Sequence, residues 1–209
     1  MEPIVNVCRN NEKGAVKICD TKEDRVCQGD IIKNVKYIEN IGEVDDYLEV
    51  SMINFPKVII LSQDCDLSED YDFRYNKTKV HADHDKILIS FLVAPLYTEE
   101  QVLAGEHLSL IELERENTNE PMKMHDFRKE KTKKTLMHNN EIPRYHYLKF
   151  PESLTTISNS FIDFKHYFSI NINYLEELKR NNFICRIAMP YREFISQRFS
   201  NYLSRIGLP

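Results

Sequence analysis

A chain that runs Val58-Ile59-Ile60-Leu61 straight into Ser62-Gln63-Asp64-Cys65-Asp66 has few ways to place those side chains. Four consecutive apolar residues, three of them β-branched, project alternately to both sides of a strand. Both faces must then be covered, which puts the strand at the centre of a sheet. The polar residues that follow emerge where a rigid backbone hands over to a loop, a common seat for chemistry. Residues 86–97 repeat the apolar pattern, with Pro95 expected near the strand end because proline cannot donate to a central ladder.

Strand patterns dominate the first third. Ile4–Cys8 and Ala15–Cys19 flank a loop rich in asparagine and closed by Gly14, which predicts a hairpin. Ile31–Ile38 and Tyr47–Ile53 read as two further strands. Ser68 to Asp85 is too hydrophilic for a core and reads as a loop or frayed helix. Thr98 followed by Glu99, Glu100 and Gln101 is a capping box, and the apolar spacing after it predicts a helix over about Glu99 to Arg115. Residues 116–142 read as a linker or insertion. Strands are expected over 144–150 and 160–170, a short helix over 173–181, a strand over 183–189, and a final helix opened by Pro190 at its first position. The fold class is therefore α+β: a small, mostly antiparallel twisted β-barrel over 1–97, a helix and polar insertion over 98–142, and strands with a C-terminal helix packing on the core over 143–209.

Apolar residues make up 42% of 209, enough for a real core, and no apolar run reaches membrane-spanning length. With no secretory signal pattern at the N-terminus, the expected compartment is the cytoplasm and the five cysteines are expected as thiols. A formal net charge of −5 argues against a protein that coats nucleic acid, while leaving room for a local basic surface.

Three clusters carry candidate chemistry. Asp64, Cys65 and Asp66 follow the central strand. With His81 or His84 they make a Cys-His-Asp arrangement for hydrolysis, although flanking carboxylates raise a thiol's pKa and oppose thiolate formation. The alternative is a small buried Cys65 whose aspartates cap the next turn. His81 and His84, three apart with acids between, form a candidate divalent-metal pair, with Cys65 or Asp66 as a further ligand. Residues 123–134 carry six cationic side chains and two acids and read as a solvated loop. Just downstream, Arg144, Tyr145, His146 and Lys149 combine cations with aromatic rings, a pattern suited to phosphates and stacked bases. In the last helix Arg198 falls at the edge of the apolar stripe, where it needs a carboxylate, and Asp163 is the expected buried partner.

Gly29-Asp30-Ile31-Ile32, followed about thirty residues later by Val58-Ile59-Ile60-Leu61-Ser62-Gln63-Asp64, resembles the PemK/MazF-type toxins over residues 27–97. That resemblance implies an SH3-like barrel, commonly dimeric, that cleaves RNA at specific sequences. Phe55-Pro56-Lys57 stands where the family usually carries Arg-Pro, and the family's glycine-glutamate loop has no clear counterpart here. The remaining layout is similar to a group of uncharacterised bacterial proteins. The expectation is a nucleic-acid-interacting module of bacterial toxin or phage-defence type, binding RNA or DNA. The alternatives are a Cys- or metal-dependent hydrolase at Cys65, Asp66, His81 and His84, and a non-catalytic subunit that meets a protein partner or a second copy.

Overall fold

The central strand does lie inside a sheet, and it is far longer than its apolar run. In the computed structural model, which describes residues 8–9, 14–19, 21–75, 84–108, 130–138 and 141–205, β3 (Asp30–Val44) and β4 (Tyr47–Ile60) form one extended hairpin. Its turn is Asp45-Asp46, both at positive φ (49° and 66°). A two-residue hairpin turn needs that geometry, and aspartate tolerates it better than most residues.

Around this hairpin the described strands are β1 (Cys8–Arg9), β2 (Ile18–Cys19), β5 (Ser90–Thr98), β6 (Tyr145–Leu148), β7 (Ser160–Asp163), β8 (Phe168–Asn171) and β9 (Phe183–Ile187). They join in the order β1-β2-β9-β3-β4-β5-β7-β6, with β8 also on β5. Every pairing is antiparallel, and the sheet curls into a half-barrel. β9, from the last segment of the chain, lies between β2 and β3, so first and last segments share one sheet.

Both faces of the central strands are covered. Val58 and Ile60 face a core with Phe91, Val93 and Phe161, closed by residues such as Leu67, Val102, Leu136 and Leu175. Ile59 and Leu61 face a second core with Ala94, Leu96, Ile162, Ile187, Ile195 and Phe199. Each such aliphatic side chain contributes about 1.5–3 kcal/mol by leaving water. β5 continues past Pro95 because the proline sits where neighbours change: its ladder to β4 ends at Pro95 and its ladder to β7 begins at Leu96. Pro56 in β4 is similarly placed, opposite Asn34, whose φ of 58° interrupts the alternation of β3.

The helices are α1 (Asp64–Tyr75), α2 (Glu99–Ala104), α3 (Glu130–Met137), α4 (Ile172–Asn182) and α5 (Tyr191–Leu203). α1 occupies much of the stretch expected as loop or frayed helix. It has few apolar residues, but Asp64 and Asp66 suit its N-terminal turn and Arg74 its last turn. Buried Asp70 then accepts from Arg74 Nε (2.9 Å) and from Leu88 N (2.7 Å). α2 opens with the capping box, Thr98 and Gln101 bonding each other's backbone N–H, and closes at Gly105 in the left-handed conformation. It is therefore shorter than the periodicity predicts, and residues 109–129 lie outside the described residues. α3 falls inside the stretch expected as linker, and Pro190 is the N-cap of α5, not its first residue. No helix among the described residues is long and apolar enough to cross a membrane.

Candidate functional site

The end of the central strand is built mainly as a structural joint. Ser62 Oγ accepts from Leu92 N at 2.7 Å, tying β4 to β5. Asp64 takes both arms of the Arg25 guanidinium at 3.1 Å, accepts from Gln28 N at 3.2 Å, and lies 3.5 Å from Arg192 Nη1. Burial would raise its pKa, but the bond and charge of Arg25 outweigh it and the carboxyl is held below its usual range. Cys65 and Asp66 are exposed. The Cys65 thiol donates to Asp66 Oδ1 at 3.4 Å, and that hydrogen bond raises its pKa. The thiol is thus neither the buried neighbour expected nor an activated nucleophile. His84 is exposed in a short 3-10 turn, 6.3 Å from the Phe73 ring, and His81 lies outside the described residues. Among the described residues no three His, Cys, Asp or Glu side chains are grouped to hold a metal.

Behind Asp64 is an ion cluster that the sequence reading did not single out. Asp30, 0% exposed, takes Arg186 Nε at 2.6 Å, Lys179 Nζ at 2.8 Å and Cys27 N at 2.8 Å. Arg186 also reaches Glu23 at 2.5 Å, and Lys179 donates to the Arg25 carbonyl. Gly29, at φ 81°, lets the backbone enter this cluster, and a Cβ there would stand 3.0 Å from Ile187 O. Burial and the neighbouring Asp30 push the Cys27 thiol up to about 12, so it is inert. The available sequence signal was Gly29-Asp30 opening a β-branched run and Arg186 set between Cys185 and Ile187.

Asp163 is bound elsewhere than expected. It takes Arg144 through two bonds of 2.8 and 2.6 Å and His166 Nδ1 at 2.8 Å. Burial raises its pKa, but these bonds and charges prevail and bring it down to about 2. Arg144 also lies 4.8 Å over the Tyr145 ring, and Tyr145 Oη bonds His107 Nε2 at 2.9 Å inside the core. Arg144 and Tyr145 are therefore committed within the fold.

His146 lies on the other side of β6 and, together with Tyr147 and Lys149, lines a cavity of about 480 Å³ that α5 also bounds. The cavity is also lined by Tyr191, Phe194, Gln197 and Arg198, and among the described residues that line it there is no carboxylate. Alternation along β6 causes the split: Tyr145 faces one core, while Leu148 faces the other, with His146 on its side. His146 is buried, and its Nδ1 has no hydrogen-bond partner among the described residues. Burial first, and the Arg198 charge second, lower its pKa to about 4, so at neutral pH it is an uncharged donor and acceptor. Arg198 Nε is buried without a partner among the described residues, and an Nη2 bond to Ile142 O is long at 3.4 Å. Phe194 on the same helix is exposed.

A neutral buried histidine makes stability pH-dependent. The unfolded chain binds a proton near pH 6.5 that the folded chain accepts only near pH 4, so stability falls as pH drops through that window. His146→Leu is expected to reduce this loss by on the order of 2 kcal/mol, with His107, also lowered to about 4, supplying a remainder. Urea unfolding at pH 7 and at pH 4 measures it; an unchanged difference between the two pH values would show that His146 is not held neutral. No family model matches this chain, and no curated protein and no solved structure is similar enough to count as a match.

Proposed function

We propose that this chain is a nucleic-acid-binding module whose ligand site is the cavity between β6 and α5, and that single-stranded nucleic acid is what it takes. The observation that carries the reading is local charge: Lys149 and Arg198 line a cavity with no carboxylate among its described lining residues, in a protein of net charge −5. Two cations beside a pocket suit phosphates, Arg198 with its planar fork and Lys149 as a point charge. Phe194 offers an exposed ring on which a base can stack, with Tyr191 at 6.5 Å and edge-on to it. Gln197 supplies a donor and an acceptor for a base edge. Residues 27–97 correspond in this reading to the SH3-like barrel of PemK/MazF-type toxins, with the ligand displaced from the strand end to the cavity. The role is binding in a toxin or defence setting, and no catalytic step is assigned.

The test is fluorescence anisotropy with a labelled single-stranded oligonucleotide over a salt series. Binding should weaken as salt rises, and Lys149→Met with Arg198→Met should flatten the slope of log affinity against log salt by roughly 1.4, about 0.7 for each lost phosphate contact. Phe194→Ala should cost roughly 1–3 kcal/mol of affinity. Binding indifferent to salt, or unchanged in the double variant, would refute the site.

A further inference from the structure

The outer half of the β3–β4 hairpin has no visible work in the fold. β9 pairs with β3 only as far as Ile32, and β5 pairs with β4 only over Val58–Ile60. Residues 38–53 therefore continue as a two-stranded ribbon with no strand partner on either edge among the described residues. Two-stranded ribbons are marginal by themselves in water, and natural proteins generally shield such edges.

One face of this ribbon is apolar. A bulge at Glu39 shifts the register between Ile38 and Asn40, so Ile38 and Ile41 fall on the same face although three positions apart. Ile38 stands opposite Met52, Ile41 opposite Val50, and Leu48 opposite Glu43. All five apolar residues are exposed, Leu48 by 75%. The other face is turned at its base to the core, where Tyr37 packs 4.9 Å from the Phe168 ring. At the root, Ile38 and Met52 open on a cavity of about 460 Å³ walled by Ile170 and Tyr174. The apolar face thus runs unbroken from the body towards the turn. Contiguous exposed patches of this kind mark interaction sites.

Charge selects the occupant. Residues 38–53 hold Glu39, Glu43, Asp45, Asp46 and Glu49 and no lysine or arginine. Subtracting those five from the chain's 33 acids leaves 28, equal to its 28 lysines and arginines, so the ribbon holds the whole net charge of −5. Two copies laid ribbon to ribbon would bring ten carboxylates together. Nucleic acid would be repelled.

We propose that residues 38–53 are a docking arm for a different protein, one whose contacting strand or groove is apolar and flanked by lysine or arginine. The apolar face supplies the contact area and the acids supply orientation and discrimination. The probe is a labelled synthetic peptide alternating lysine with valine, with a glutamate-valine peptide as control, each titrated into the full chain by fluorescence anisotropy. The lysine peptide should bind, slow amide exchange in residues 38–53, and weaken by about tenfold when NaCl rises from about 50 to about 500 mM. The glutamate peptide should not bind. Ile41→Ser with Val50→Ser should weaken the lysine peptide by at least about tenfold while leaving the urea midpoint unchanged, because both side chains are exposed. Absence of binding, equal binding of both peptides, or no effect of the serine substitutions would overturn the proposal. So would a dimer in sedimentation that the serine substitutions convert to monomer.

Discussion

Asp30→Ala is expected to destabilise the protein by about 3–5 kcal/mol, the range for breaking a buried ion pair by removing one partner. The carboxylate is fully buried and is the acceptor for Arg186 Nε, Lys179 Nζ and the Cys27 amide. Its loss strands two cations that are themselves 7% and 2% exposed at the side chain. Glu23 still reaches Arg186, but it is 37% exposed and cannot reproduce the second contact. A typical domain has about 5–15 kcal/mol in hand, so this one substitution consumes much of it. Urea denaturation measures the loss. The informative companion is the triple replacement Asp30→Leu, Lys179→Met, Arg186→Met. If the penalty comes from uncompensated charge, the triple variant recovers most of what the single variant loses, because apolar groups of similar volume replace buried pairs at little cost. A triple variant as weak as the single one would place the penalty in packing instead.

The second large effect is at Asp163. Its pKa of about 2 in the folded protein lies below the ordinary 3.8, so the folded state binds the proton less readily than the unfolded state. The resulting stabilisation is complete above about pH 4 and is lost as pH falls towards about 2; it is worth about 2 kcal/mol. Asp163→Ala removes that pH-dependence and, at neutral pH, costs about 3–5 kcal/mol, because Arg144 is left half-buried without its two bonds. Urea midpoints of wild type and variant between pH 2 and pH 5 should converge at the acid end. Parallel curves would show that the carboxylate is not ionised by Arg144 and His166.

What could be read from residues alone was whatever depends on local pattern. The doubly apolar run at 58–61 gave a central strand because periodicity carries burial directly, whereas the run at 86–97 is strand only from Ser90, with Ile89 92% exposed. The capping box at Thr98 and Gln101 gave the start of α2, since both partners lie within one turn. The strand beginning at Tyr47 was legible, but its long hairpin with β3 was not, because Asp45-Asp46 lacks the glycine that usually marks a two-residue turn and a bulge at Glu39 hides the alternation of β3 beyond Ile38. α1 overlaps the stretch read as loop or frayed helix: its buried residues are Leu67 and the acid Asp70, too few for a clear apolar stripe. At the candidate site, His146 and Lys149 share the cavity while Arg144 and Tyr145 do not. Composition alone could not divide them. Strand alternation separates the tyrosine from the histidine, but the partner of Arg144 is a carboxylate nineteen positions away that only the β6–β7 pairing brings near. Arg198 was legible as an arginine at the edge of a buried stripe, though the carboxylate assigned to it belongs to Arg144.

The position of β9 between β2 and β3 has a bearing on how the chain assembles. In the sheet β2 has β1 on one edge, but its other edge, like the facing edge of β3, stays open until residues 183–187 are made. Lys179 and Arg186, the cations that neutralise Asp30, arrive with that late segment. The first half of the protein is therefore translated carrying a carboxylate and a strand edge whose partners are synthesised some 150 residues afterwards. Pairings of such long sequence separation slow folding and prolong the exposure of unpaired edges. Closure of the sheet along β3 and neutralisation of Asp30 both depend on the segment that carries α4 and β9.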